Sequence, residues 1–181
     1  IIISDIDEIP NFHNLKSFEN YKFTAFQQSN FCYKFNLKNI TYPIWYGSKL
    51  CKKKYLKSPQ WLRNIKGKSY PIWRLDTIFS KKKYMNVDFV NDGGWHFTSI
   101  KKPKDIHYKL SNFMHHLEYE ESGLNISDME RMVKEKKILY DNKTDKKKEK
   151  YTGNQSLKKV SNKILPDYIL SNLSKYKEWL D

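Results

Sequence analysis

Arginine is nearly missing from a chain that is otherwise crowded with cations. Of 34 Lys and Arg residues only Arg63, Arg74 and Arg131 are arginine, against 20 Asp and Glu. The formal charge of +14 sets up a field that attracts phosphate-bearing partners. Specific readout of bases and phosphates leans on arginine's planar fork, so the shortage argues against a nucleic-acid-binding module. Lys, Asn, Ile and Tyr are all abundant, as an AT-biased coding sequence would make them, and that bias accounts for much of the lysine excess without any function.

Cysteine is scarce too. Cys32 and Cys51 stand alone, which excludes a disulfide framework and a C-x-x-C metal site. They read as buried thiols of a reducing compartment. No apolar run approaches the length of a membrane span, and no signal peptide is visible. Alanine and valine are rare, so the core must be built from Tyr, Phe and Trp. With 39% hydrophobic and 15% aromatic residues in 181, the chain has enough apolar mass for one domain over 1–181 and is not globally disordered.

What is present reads as an α/β chain. Residues 1–3, three isoleucines, suit a strand buried on both faces of a parallel sheet. Alternation of Tyr21 and Phe23, then of Phe31, Tyr33, Phe35 and Leu37, predicts two or three antiparallel strands over 21–46, with turns at 27–30 and 38–39. Residues 47–70 read as loop with one short helix, and 71–76 as a short strand. Residues 86–100 read as strand, glycine turn, strand. In 103–120, Pro103 fits a first helical turn, and Ile106, Leu110, Phe113, Met114 and Leu117 form one apolar stripe. Ser127 or Asp128 caps a further helix over 128–138, and 165–180 is a closing amphipathic segment. The polar, lysine-rich stretch 141–159 reads as a solvated, mobile loop.

Two constellations carry chemistry. "SDIDEIP" ends the isoleucine run in acids. Residues two apart on a strand share a face, so Asp5 and Asp7 can address one site at the carboxyl end of the strand. Two carboxylates that close repel unless a cation lies between them, and a divalent Mn2+ or Mg2+ bridging to substrate phosphates is the natural occupant. The blander alternative is a polar strand end whose acids cap turns or pair with lysines. In "DGGWHF", Gly93 and Gly94 allow a tight turn, Trp95 offers a flat face for a sugar or base, and His96 is a metal ligand or acid/base. Its alternative is a turn with a core Trp and a structural His. His115 in the 103–120 helix projects away from the apolar stripe and is either solvated or aimed at a site by a bend.

Taken together, "SDIDEIP", "GGWHF", "IHYKLSNFMHHLE" and "LPDYILSN" resemble glycosyltransferase family 17, the family of β-1,4-mannosyl-glycoprotein β-1,4-N-acetylglucosaminyltransferases. The resemblance spans roughly 1–180 and is weak over 47–85 and 141–159. It implies a GT-A-like fold of which this chain is a C-terminal portion, the first βα units lying upstream. It implies inverting transfer of a sugar from a UDP-sugar, UDP-N-acetylglucosamine by family, to a glycan or glycolipid acceptor, with a divalent metal at the D-x-D. Asp5 and Asp7 match the D-x-D with Glu8 beside them, Trp95 and His96 match the G-W-H, and Lys109 and His115 match positions of the helix. Metal ligands are then Asp5, Asp7 and His96. Asp5, Glu8, Trp95, His96, Lys109 and Arg74 bind the donor, the last two neutralising its diphosphate. Asp92, Glu118 and His115 are the candidate bases. Family analogy, with the lysine-rich composition of an AT-rich bacterium or virus, implies cytoplasmic action with peripheral membrane association, no nucleic acid being bound. An alternative uses the same carboxylates in a metal-dependent phosphatase or nuclease: haloacid-dehalogenase-like phosphatases also place D-x-D after an apolar strand, with the first Asp as nucleophile.

Overall fold

Short β-branched and aromatic runs, broken every few residues by Asn, Gly, Pro or Ser, give short strands rather than long ones. The computed structural model describes residues 1–15, 22–68, 70–84, 87–112, 116–140, 151 and 153–181. The strands are β1 (Ile2–Ile3), β2 (Glu8–Pro10), β3 (Phe23–Phe26), β4 (Gln28–Cys32), β5 (Leu37–Asn39), β6 (Ile44–Trp45), β7 (Lys49–Cys51), β8 (Val87–Val90), β9 (Gly94–Thr98), β10 (Lys137–Ile138) and β11 (Gln155–Lys159). The helices are α1 (Pro59–Asn64), α2 (Asp76–Phe79), α3 (Pro103–Ser111), α4 (His116–Glu121), α5 (Ile126–Glu135) and α6 (Asp167–Leu170). Among the described residues the architecture is therefore mixed α/β, with two sheets and six helices. No described helix is long and apolar enough to cross a membrane.

The chain forms two compact units, Ile1–Ser29 with Ile44–His96, and Asn30–Pro43 with Phe97–Asp181. In the first, β7 pairs antiparallel with both β1 and β3, and β3 pairs parallel with β8. All four residues of β3 are buried, because both of its faces are covered. On one face Phe23 and Ala25 pack with Cys51, Leu62, Ile65 and Val87. Aromatic rings close that core, with Phe23 at 5.4 Å from Trp61 and 4.7 Å from Tyr84.

In the second unit β5 pairs with β4 and with β11, and β11 with β10, all antiparallel. Helices α3 and α5 supply Ile106, Met129 and Met132 to a core shared with Cys32, Tyr33, Leu37 and Tyr119. Asn125 and Asp128 cap α5 reciprocally, and Lys136, at φ 55°, ends it in the left-handed region. Buried Asn39 turns the chain after β5: its Oδ1 accepts from the backbone of Thr41 and Tyr42, and its Nδ2 donates to Gln155.

Several sequence expectations change here. The isoleucine run is not a parallel strand buried on both faces. It is a half-buried strand whose ladder is antiparallel, to β7. The turn expected at 27–30 is absent, because β4 runs through it; β3 and β4 are separated by Gln27 alone and take different partners. Residues 71–76 make no strand. Arg74 N bonds back to Pro71 O and Thr77 N to Arg74 O, so the chain coils through turns into α2. The helix over 103–120 breaks after Ser111. Ser111 Oγ and Asn112 Nδ2 each donate to the carbonyl four residues back, an interaction that competes with continuing the helix. Phe113, Met114 and His115 lie outside the described residues. The cap of α5 is Asn125, and Lys137–Ile138 belong to a strand. Within 141–159, residues 141–150 and 152 lie outside the described residues, but 155–159 form β11, with Gln155 and Leu157 buried. The 165–180 segment breaks into α6 and a 3-10 turn at Lys177–Trp179. Both cysteines are unpaired and buried, as expected.

Candidate functional site

The acids after β1 leave the strand at once. Glu8 N donates to Asp5 O at 3.1 Å, closing a turn over residues 5–8 with Ile6 exposed at its tip. The two-residue alternation expected of an extended Asp5–Asp7 therefore does not apply, and the two carboxylates take different partners. Asp5 Oδ2 lies 2.5 Å from Arg63 Nη2 at the end of α1. Asp7 Oδ2 lies 3.6 Å from His96 Nε2 on β9.

The next residue anchors the turn. Glu8 begins β2, and β2 pairs antiparallel with β9 so that Glu8 stands opposite His96 and Ile9 opposite Trp95. Glu8 is buried, and a buried carboxylate must be hydrogen-bonded. Its Oε1 accepts from Trp45 Nε1 at 2.8 Å. Its Oε2 accepts from Asp5 N at 3.0 Å, Ser48 Oγ at 3.1 Å and Ser4 Oγ at 3.3 Å. Gln28 Nε2 donates to Ser48 Oγ at 3.0 Å, orienting that hydroxyl. The Trp45 ring also stacks on the His96 imidazole, with centroids 4.5 Å apart and planes 11° apart.

Two glycines make this approach feasible. A Cβ on Gly47 would lie 1.6 Å from Glu8 Oε1, inside the carboxylate. Gly94, at φ +122°, faces Pro10 across the ladder, and a Cβ there would lie 2.0 Å from Ile9 O.

Beside the turn is a cavity of about 310 Å³ lined by Asp5, Glu8, Trp45, Lys49, Arg63 and Lys66, among others. Lys49 is buried on β7, and its Nζ donates to Arg63 O at 2.5 Å, capping the last turn of α1. Burial pushes its ammonium down to about 8; Glu8 and Asp5 pull it back up, while Arg63 and Lys66 push it further down. The cavity wall thus carries three cations against two carboxylates that already have partners.

The structure brings Asp5, Asp7, Glu8 and His96 into one neighbourhood and distributes the other expected residues elsewhere. Trp95 adjoins His96 on β9, and strand alternation turns its side chain to the other face. Asp92, at φ 46°, forms the turn between β8 and β9, where its carbonyl accepts from Asn11 and Asn14 side chains. Arg74 makes a bidentate pair with Asp76 at 2.7 and 3.0 Å, and together with Lys83 it holds that carboxyl well below the usual range. Lys109, in the last turn of α3, and Glu118, in the first turn of α4, belong to the second unit. His115 is outside the described residues. Sequence reading missed Trp45, Ser48, Lys49 and Arg63. The only local signal for the first three is an aromatic, glycine and lysine cluster in "IWYGSK"; Arg63 lies apart from it, in "QWLRN".

Among the described residues no three His, Cys, Asp or Glu side chains are grouped to hold a metal. Asp7 and His96 offer a carboxylate and an imidazole 3.6 Å apart, within the span of two ligands on one ion at about 2.1 Å each. Mg2+ and Mn2+ sites commonly use one or two protein ligands plus substrate phosphates, so this donor pair fits. Asp5 would have to leave Arg63 to join them, and Glu8 is committed to its four donors.

Two outcomes follow from this geometry. Glu8→Gln should cost about 2 kcal/mol. Both carboxylate oxygens face an obligate N–H donor, Trp45 on one side and Asp5 on the other, so either amide orientation sets N–H against N–H. Urea unfolding measures the loss, and an unchanged midpoint would show that the cage carries no weight. Lys49 should give a pH signature. Its folded pKa is depressed, so the unfolded chain binds more protons between about 8 and the ordinary lysine value. The burden of the buried charge is complete below pH 8 and is relieved as pH rises through that window. Lys49→Met should therefore gain stability over wild type at pH 7, with the gain shrinking toward pH 10.5; a pH-independent difference would contradict this.

Comparison with protein-family models, with curated proteins and with solved structures gives no match to this chain.

Proposed function

We propose that this protein is a metal-dependent glycosyltransferase. It transfers a sugar, N-acetylglucosamine on the family resemblance, from a UDP-sugar to a glycan or glycolipid acceptor. One observation carries the reading. The motifs that carry the resemblance, "SDIDEIP" and "GGWHF", are far apart in sequence yet form one antiparallel ladder, Glu8 opposite His96, with Asp7 3.6 Å from His96.

Asp7 and His96 would hold the Mn2+ or Mg2+, and when bound the ion supplies Lewis-acid stabilisation of the departing diphosphate. The chain's own groups do the rest. Glu8 fixes the turn and, through Trp45, the plane of the His96 imidazole. Asp5 holds the Arg63 guanidinium at the cavity, where Arg63, Lys49 and Lys66 can meet phosphate oxygens. Trp95 on the other face of β9 and Arg74 in its pair with Asp76 have no part in this arrangement. Inversion needs a base for the acceptor hydroxyl, for which Asp92 is the candidate within this unit. The phosphatase reading is less well supported, because it needs Asp5 as a nucleophile and that carboxylate is bound to Arg63.

In the intact protein, Asp7→Asn and His96→Gln should each lower Mn2+-dependent turnover of UDP-N-acetylglucosamine by about 100-fold, with the thermal midpoint nearly unchanged. Wild-type rates in Asp7→Asn, or turnover of phosphomonoesters or nucleic acid in place of the sugar nucleotide, would overturn the proposal.

A further inference from the structure

The segment around α2 breaks the rule that large apolar side chains go inside. Ile72, Trp73, Leu75, Ile78 and Phe79 are 85%, 78%, 64%, 61% and 87% exposed. Scattered exposed apolar residues are ordinary, but five within residues 72–79 make a patch. The backbone beneath them is tied down. Thr77 is buried, and its Oγ1 donates to Arg74 O at 2.8 Å. On the far side, Trp61 Nε1 and Tyr84 Oη donate to Lys81 O at 2.8 and 3.2 Å, and Lys66 N donates to Lys82 O at 2.8 Å. The chain is therefore fastened to its unit through main-chain atoms while its apolar side chains point to solvent.

Cations flank the patch. Residues 71–84 hold Arg74, Lys81, Lys82 and Lys83 against a single acid, Asp76. Asp76 is shared between Arg74 and Lys83, which leaves Lys81 and Lys82 as surplus positive charge, both exposed. The Tyr70 ring lies among Arg74, Lys83 and Lys68 at 5.7–6.0 Å. Aromatic and aliphatic side chains beside lysines are the composition of a surface that enters the boundary between acyl chains and anionic headgroups.

We propose that this patch docks on an anionic lipid bilayer. Trp73, Phe79 and the neighbouring aliphatic residues enter the headgroup boundary, and Lys81 and Lys82 meet the lipid phosphates. A second copy fits less well, since a two-fold contact through this patch would set its surplus lysines against themselves. The inference does not rest on the glycosyltransferase reading.

Vesicle co-sedimentation of the full chain tests it. Vesicles of phosphatidylcholine mixed with phosphatidylglycerol should bind the protein, pure phosphatidylcholine should bind it far less, and added salt should weaken binding. Trp73→Ser with Phe79→Ser should lower partitioning by about tenfold or more with circular dichroism unchanged. Lys81→Glu with Lys82→Glu should weaken the preference for phosphatidylglycerol. Equal sedimentation of the Trp73→Ser, Phe79→Ser variant and wild type would overturn the proposal, as would absence of vesicle binding. Lipid-free dimerisation abolished by the same double substitution would also overturn it, assigning the patch to a second copy.

Discussion

A carboxylate taken out of water must find donors, and Glu8 finds four: an indole, two serine hydroxyls and the backbone amide of Asp5. Each donor fixes something else. The amide ties the Glu8 side chain back across the turn that presents Asp5 and Asp7. The indole holds Trp45 flat against His96. Ser48 links the cage to Gln28 on β4. Gly47 is required because no side chain can share its space with the Glu8 carboxylate. The candidate metal ligands are thus held in place by a residue that is not itself free to bind metal, a positioning carboxylate one step behind the ligands.

The same arrangement sorts the acids by duty. Asp5 spends its charge on Arg63, Glu8 on its cage, and Asp7 faces His96. Near them Lys49 is buried for a structural reason, capping α1, at the cost of a depressed pKa. The basic cavity that Asp5 and Glu8 share with Lys49, Arg63 and Lys66 uses one of only three arginines in the chain. Abundant lysine sets the long-range field, whereas the local geometry is set by Arg63 and buried Lys49.

How much of this was legible in the sequence depended on the range of the interaction. Both motif segments could be picked out, since D-x-D after an apolar run and Gly-Gly-Trp-His are local patterns. Their pairing could not, because a strand's partner is written in neither strand. Trp45, Ser48 and Lys49 stayed hidden for the same reason: they matter through Glu8, His96 and Arg63, all distant in sequence. The strand in residues 155–159 looked like solvated loop because one of its two inward residues is Gln155, satisfied by Asn39 rather than by water. Conversely, the helix over 103–120 was over-read. Ile106 and Leu110 do pack on the core, but Leu117 is exposed, and Ser111 and Asn112 turn their side chains back onto the helix and end it. The apolar residues of 71–76 suggested a strand, yet none of the described strands pairs with them, and they remain on the surface.

The most direct measurement is an NMR titration of the isotope-labelled chain with Mn2+ in the presence of UDP, because the bound ion broadens resonances near it. The expected result is that signals of Asp7, Glu8 and His96 disappear first, at less than one equivalent, and that Asp7→Asn restores them. Broadening that spares the β2–β9 ladder and begins at acids elsewhere on the surface would contradict a metal held by Asp7 and His96.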